Sequence, residues 1–435
     1  MNVIGIIAEY NPFHKGHAYQ IEKIKREVQA DYAIIAMSGD FVQRGAPALV
    51  DKYCRAQMAL SSGADLVLEL PVLFASSSAE YFAKGGVSLL CHTGVVTHLG
   101  FGTENGQLSV FQKIAGVLLK EPELYADMLN VHLKNGFSFP NARAKALQAY
   151  FASTGDVSFP PVWETLSLPN NILAIEYLKA LAQLGSSIIP YPIKRQGNGY
   201  HDISREGSFC SAAAIRAFAK GCRPQHGYPS LEGGLPPSEE KHAFLPLADA
   251  MPQAAFEALC SYPRPFLFED SFSTLLQYKL LTEPPKLLSA YADSSPALAN
   301  RIKKMAPFFV SWSNFCKILK TKNVTYTHLS RLLLHILLNI YQEDYPAFPE
   351  PLYLRALGFR KDAAPLLSAI KSHGTLPLLV NLPKDSRDLD AAAQKLLSYD
   401  INASNLYNLA QSSLMPKDAR CLPLKNDYRQ PILCL

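Results

Sequence analysis

The chain has 435 residues, 48% of them apolar and 18% charged, with a net charge of +5 and a pI near 8.6. That is enough apolar material for two or three domains with a large core, and it excludes a disordered chain. The mildly basic balance permits a nucleic-acid partner without demanding one. Eight cysteines (Cys54, Cys91, Cys210, Cys222, Cys260, Cys316, Cys421 and Cys434) show no C-x-x-C spacing and no zinc-finger pairing with histidine, so they read as reduced thiols. The first apolar run spans six residues before Glu9 and lacks a basic n-region, and no stretch is long enough to cross a membrane. The expectation is a cytoplasmic protein with no signal peptide and no membrane contact.

In chain order, apolar runs at Val3–Ala8, Tyr32–Met37, Asp65–Leu70 and Val95–Phe101 alternate with helical patterns at Ala18–Val28, Lys52–Ser62 and Ser76–Leu90. This rhythm predicts a parallel α/β sheet in which each strand is followed by a crossover helix. Helices are expected at Leu108–Leu119, Glu123–Asn135, Asn141–Tyr150 and from Leu168 through Leu184, and Ile188–Pro192 reads as a last strand. From Gln225 to about Ala250 the chain turns rich in Pro, Gly and Glu, the composition of a linker. Residues 263 to 345 are helical in pattern, and the remainder mixes helices with short strands such as Pro377–Leu382.

Ligands of such sheets bind at the carboxyl ends of the strands. Directly behind the first run stand His14-Lys15-Gly16-His17, an arrangement that this composition yields by chance about 0.015 times per chain. A helix starting there aims unpaired N–H groups and a positive dipole end at phosphate, and Gly16 leaves room for its approach. His14 and His17, one turn apart, suit donation to an α-phosphate as charge builds during in-line displacement, and Lys15 suits the leaving pyrophosphate. An ordinary turn with histidine caps is the bland alternative.

Ser211 and Arg216 lie about one helical turn apart and would clamp phosphates from the opposite side; a Ser N-cap beside a solvated Arg explains them equally. Arg44 and Lys52 fit phosphate or an acidic substrate, and Asp40 a metal ion or a ribose, unless their loop is merely polar. Gly102 fits close approach of a base or ribose. Asn170 and Asn171 fit an adenine edge, or helix capping, and Arg195 fits stacking on the nucleotide, or solvent. Between Arg301 and Tyr341 there are seven Lys or Arg and no acidic residue, interleaved with Phe308, Phe309, Trp312, Phe315 and Tyr326. Basic groups beside aromatics suit RNA. Helical spacing puts His328, Arg331, His335 and Asn339 on one face, free to touch a backbone, with leucines and isoleucines on the other.

Together these residues resemble the tRNA-Met cytidine acetate ligases, a branch of the H-x-G-H nucleotidyltransferases. The likeness rests on Gly5–His17, Gly39–Gly45, Gly63–Pro71, Pro169–Asn171 and Ser211–Arg216, and extends to Tyr353–Phe359. The family often has Phe-Gly-Ser-Glu where this chain has Phe101–Glu104, which keeps the hydroxyl. The resemblance implies a Rossmann-like parallel-sheet α/β nucleotidyltransferase domain over 1–225, followed by a linker over 226–262 and a largely helical C-terminal region. That region divides into a basic, tRNA-binding part over 263–345 and a mixed α/β part over 346–435. It implies activation of acetate with ATP and transfer of the acetyl group to the wobble cytidine of elongator tRNA-Met, giving N4-acetylcytidine. The implied ATP site comprises Ile7, Ala8, Glu9, Tyr10, Asn11, Pro12, Phe13, His14, Lys15, Gly16, His17, Ala18, Tyr19 and Gln20, with Gly102, Asn170, Arg195 and Ser211. His14, Lys15, His17 and Arg216 are the expected catalytic set, and Lys320, Lys322, His328, Arg331 and His335 the expected tRNA contacts. Mg2+ is expected with ATP, its protein ligands unassigned, and no obligate protein partner is expected. An adenylyltransferase acting on a small cofactor precursor, and a non-catalytic RNA-binding protein, are the competing readings.

Overall fold

The computed structural model describes residues 1–104, 107–155, 162–195, 211–221, 244–415 and 425–435. Its centre is a sheet built from β1 (Val3–Ala8), β2 (Tyr32–Ser38), β5 (Leu66–Leu70), β6 (His98–Thr103), β7 (Ile189–Lys194), β8 (Leu354–Phe359), β9 (Leu378–Leu379) and β10 (Leu433–Cys434). The small hairpin β3 (Phe41–Val42) and β4 (Ala46–Pro47) stands apart from it. The sheet order is β10-β8-β5-β2-β1-β6-β7, with β9 beside β8. Pairing is parallel except between β5 and β8, which run antiparallel.

Alternation along the strands explains their unbroken apolar runs. In β2, Ala33, Ile35 and Met37 enter one core with Ile21, Ile24 and Met58, while Ile34 and Ala36 enter the other with Phe74 and Leu90. Both faces are covered by helices. α1 (Lys15–Glu27) and α2 (Lys52–Leu60) serve the first core, and the helices Ala79–Cys91 and Pro169–Gln183 serve the second.

The elements expected through residue 194 are present with shifted ends. The strand expected at Val95–Phe101 begins at His98, because Gly94 turns the chain at φ +68° and Thr97 Oγ1 first bonds Val3 N at 3.0 Å. The helix expected from Ala18 starts at Lys15, one residue after a histidine cap. Ser78 Oγ caps the helix beginning at Ala79, after a separate short helix at Val72–Ala75. The strand at Ile189–Lys194 is an edge of the sheet rather than its last member in sequence. β8, β9 and β10 return from the C-terminal region and extend the opposite edge. Of the expected linker, residues 226–243 lie outside the described residues, as do Cys210, Cys222 and Cys421. Its remainder holds the helix Gln253–Cys260, whose Ala255 and Leu259, one turn apart, are buried.

Candidate active site

β1 sits at the switch point of the sheet, with β2 on one side and β6 on the other, so the chain leaving Ala8 enters the crevice above the strand ends. Tyr10 takes a left-handed backbone at φ +46°. Asn11 then anchors the turn: its Oδ1 accepts from Leu49 N at 2.8 Å, and its carbonyl accepts from Arg216 Nη1 at 2.5 Å. Phe13 is fully buried and packs against the rings of Tyr10 and His17 through a shared corner.

His14 is the N-cap of α1. Its Nδ1 accepts from Gly16 N at 3.1 Å, and His17 Nδ1 accepts from His14 N at 3.3 Å, a capping box made of two imidazoles. The rings stack with centroids 3.7 Å apart and an interplanar angle of 19°. Because each Nδ1 accepts a backbone N–H, each neutral ring carries its proton on Nε2. Burial, followed by the positive charges of Arg195 and Arg216, lowers the His14 pKa from 6.5 to about 3. Burial, followed by His14 and Arg195, holds His17 well below its usual value. The site therefore presents two neutral N–H donors at a helix N-terminus, with two guanidinium groups nearby.

Above them lies a cavity of about 350 Å3. Of the expected ATP residues, it is lined by Ile7, Ala8, Glu9, Tyr10, Asn11, His14, Gly16, His17, Tyr19 and Gln20, and from other elements by Gly102, Asn170, Arg195 and Ser211. Arg216 of the expected catalytic set lines it too. Pro12, Phe13, Lys15 and Ala18 do not. The 100° step of α1 turns Lys15 and Ala18 off the face that carries His17 and Gln20, and Ala18 lines a separate shallow depression with Ile21 and Lys25. Lys15 N instead donates to Ala250 O at 3.0 Å, joining α1 to the segment behind the linker.

The opposite corner is built from ends of three elements. Glu104 accepts from Asn170 N at 3.3 Å, Asn170 Nδ2 at 2.7 Å and Asn171 N at 3.0 Å, capping the helix Pro169–Gln183 with a carboxylate. Asn171 is fully buried, does not line the cavity, and its Oδ1 accepts from Glu104 N at 3.0 Å, a capping contact. Arg195 Nη1 donates to Asn170 Oδ1 at 3.3 Å. A Cβ on Gly102 would stand 3.3 Å from Arg195 Cγ, which ties the small residue to the position of the guanidinium. Ser211 Oγ accepts from Ala214 N at 3.2 Å, so capping and cavity lining coexist in one residue.

Residue-type reasoning did not single out Gln43, Phe82, Phe101 and Tyr177, which also line the cavity. The aromatics read as ordinary core positions, which they also are. Arg44 lines it as proposed, but Lys52 and Asp40 are corrected. Lys52 is 1% exposed, and its Nζ reaches Glu69 at 2.8 Å and Asp427 at 2.7 Å. Asp40 accepts from Lys52 N and Ser404 Oγ. Both hold the fold rather than a ligand.

The expected open face of the helix Tyr326–Leu338 is likewise corrected. His335 is fully buried, with Nε2 3.0 Å from Ser76 O and Nδ1 3.3 Å from Ala292 O. Arg331 Nε pairs with Asp293 at 2.9 Å, and His328 Nε2 lies 2.8 Å from Asp293 O. The loop around Asp293 covers this face, which helical periodicity alone cannot reveal. Trp312 and Phe315 are core residues, whereas Lys320 and Lys322 are exposed and Phe308 is 63% exposed.

The hairpin carrying Gln43 and Arg44 is fixed by that helix. Gly45 adopts φ +71°, Ser330 Oγ donates to its carbonyl at 2.8 Å, and a Cβ there would stand 2.3 Å from Arg331 N. Gly45→Ala is expected to lower stability by about 1–3 kcal/mol through the backbone conformation alone, with the clash adding to it. Urea titration of the variant checks this, since an unchanged midpoint would mean that the hairpin is not clamped.

A sequence model described as HIGH Nucleotidyl Transferase matches residues 1–420. The tRNA(Met) cytidine acetate ligase of Halothermothrix orenii is 37% identical over 421 residues, covering 94% of this chain and 95% of its own length. That of Caldanaerobacter subterraneus subsp. tengcongensis is 37% identical over 435 residues, with 100% of both chains covered. Among solved structures, Thermotoga maritima TmcAL bound with alpha-thio ATP superposes with a TM-score of 0.85 at 30% identity, and its apo form with 0.88 at 32%, each covering 100% of both chains.

Proposed function

The chain belongs to the tRNA(Met) cytidine acetate ligase family of the HIGH nucleotidyltransferases, and from that premise we propose that it activates acetate with ATP and acetylates the wobble cytidine of elongator tRNA-Met. The observation that carries the reading is the pair of stacked, neutral histidines at the N-terminus of α1, facing a cavity that Arg195 and Arg216 also line.

In this reading acetate oxygen attacks the α-phosphorus in line, the bond to the β-phosphate bridge breaks, and pyrophosphate leaves with the electron pair. The Nε2–H groups of His14 and His17 donate to the equatorial oxygens as charge builds, where fixed donors in a dry site act most strongly. Arg216 and the helix start at Ser211 neutralise the departing pyrophosphate. Gly102, Asn170 and Arg195 hold the adenosine. The N4 amine of cytidine then attacks the carbonyl of the acetyl-adenylate, releasing AMP and leaving N4-acetylcytidine.

The exposed Lys320 and Lys322 support the RNA on the helical region. Mg2+ would enter with the triphosphate. Among the described residues no group of three or more His, Cys, Asp or Glu is placed to hold a metal ion, so no step is routed through a protein-held one. Among the described residues no helix is long and apolar enough to cross a membrane, and the reading requires no protein partner.

ATP–pyrophosphate exchange with and without acetate is the test. Exchange that depends on acetate is expected, with acetylated tRNA-Met formed on adding the RNA. Exchange indifferent to acetate, with a small phosphate-bearing acceptor consumed instead, would replace this reading with adenylyl transfer to a cofactor precursor.

A further inference from the structure

The cavity straddles β1 and has two wings. One lies toward β6 and β7, where Gly102, Asn170 and Arg195 stand. The other lies toward β2, where Glu9 meets the hairpin loop of Gln43 and Arg44. Nothing in the adenylation chemistry described above uses the second wing.

Glu9 is the first residue after β1 and is held from two sides. Its carbonyl accepts from Arg55 Nη1 at 2.6 Å, and its Oε1 accepts from Gln43 N at 3.1 Å. Oε2 makes no bond among the described residues, and the side chain is only partly buried at the cavity wall. An ionised carboxylate is acceptor-only, so its open oxygen is matched to a ligand N–H or O–H. Acetate and phosphate oxygens offer none at neutral pH, whereas the exocyclic amine of a pyrimidine offers two. Arg44 beside it supplies donors for the ring nitrogen and carbonyl of such a base, and Tyr177, with its ring 5.8 Å from Phe101, supplies an aromatic wall. The Tyr177 hydroxyl is pushed up first by burial and then by the negative charge of Glu9, which places the two groups within electrostatic reach.

A second observation orients this wing. The Gln43–Arg44 loop rests on the basic helical region: Ser330 Oγ donates to Gly45 O, and Trp312 Nε1 donates to Ser330 Oγ at 3.2 Å. Lys317, Lys320 and Lys322, all exposed, follow Trp312 on that same support. The loop beside Glu9 is thus braced by the helical region that also carries these lysines.

Resting on the function proposed above, we propose that this wing receives the acceptor cytosine and that Glu9 takes the proton from its N4 amine. The C–N bond forms at the acetyl carbonyl, the acyl C–O bond breaks, AMP leaves with the electron pair, and the amine proton passes to Glu9 Oε2. Arg44 positions the base.

Glu9→Gln keeps the acceptor for Gln43 N and removes the base. Single-turnover acetyl transfer to tRNA-Met by this variant is expected to fall by about 100-fold or more relative to wild type, the usual contribution of a general base. Acetate-dependent exchange should fall far less. Transfer should return in part in Glu9→Asp, which restores a carboxylate acceptor. Arg44→Ala should raise KM for tRNA more than KM for ATP. Equal losses of exchange and transfer in Glu9→Gln would overturn the proposal, placing Glu9 on the ribose or adenine of ATP. Transfer within about threefold of wild type would overturn it as well, being far below the general-base range. A wild-type protein with no acetate-dependent exchange and no tRNA acetylation would instead remove the underlying reading, and this proposal with it.

Discussion

Replacing His17 with alanine is expected to lower acetate-dependent ATP–pyrophosphate exchange by about 10²–10³-fold, the cost of removing one preorganised donor from a developing oxyanion. His14→Ala should match it, and the double variant should cost less than the sum of the two, because the stacked rings position one another. Exchange rates at saturating ATP separate this from a binding defect. The same pair predicts a proton linkage with a definite sign. Burial, then Arg195 and Arg216, lower the His14 pKa to about 3 against an ordinary 6.5. A bound triphosphate offsets the charge of the two guanidinium groups, so His14 takes up a proton more readily with ATP bound and ATP affinity strengthens as the pH falls toward the lowered pKa. For folding the sign is opposite. The unfolded chain binds more protons between those two values, so the contribution of His14 to stability rises with pH across that window and is lost on acidification. Calorimetric ATP titrations in buffers of different ionisation enthalpy read the proton uptake directly. Proton release on binding would contradict the neutral-imidazole state.

Arg355→Met is expected to destabilise the protein by about 3–5 kcal/mol, the cost of breaking a buried ion cluster by removing one partner. Arg355 is 2% exposed; its Nη1 lies 2.9 Å from Glu69 Oε2, and its Nη2 lies 2.9 Å from Asp427 and 3.1 Å from Tyr53 Oη. Lys52 meets the same two carboxylates and donates to Ser404 Oγ at 2.9 Å. The cluster joins α2, β5, β8, the helix Ala391–Leu414 and the C-terminal segment. Removing Arg355 leaves Lys52 to neutralise two buried carboxylates alone, so the loss exceeds that of any surface pair. Lys52 and Arg355 hold the Asp427 carboxyl well below the usual 3.8. Its contribution is therefore complete above that value and is lost as the pH falls through the lowered pKa. Denaturant titration followed by hydrogen exchange at 425–435 checks both the magnitude and the location. A loss near that of an exposed salt bridge, below about 1 kcal/mol, would show that the cluster does not hold the C-terminal segment.

Residues near one another in the chain were read well where the physics is local. The run Val3–Ala8, the turn after it and the histidine pair form β1, a loop and the start of α1, because strand alternation, a cap and a helix N-terminus are all encoded within fifteen or so residues of one another. β8 was missed because its pairing partner, β5, lies almost three hundred residues away and runs in the opposite direction, so no local rhythm announces it.

The sequence by itself determined the local geometry at the end of β1: two imidazoles, a glycine and a helix start stand together in one short segment wherever the remainder of the chain goes. Only the tertiary structure decided which other charged and aromatic groups serve that site. His335 and Lys52 are buried in hydrogen-bonded and ionic contacts, whereas Gln43, Phe82 and Tyr177 converge on the cavity. Periodicity records which residues share a face, but burial, and with it the dielectric and charge that set a residue's chemistry, depends on what distant segment covers that face.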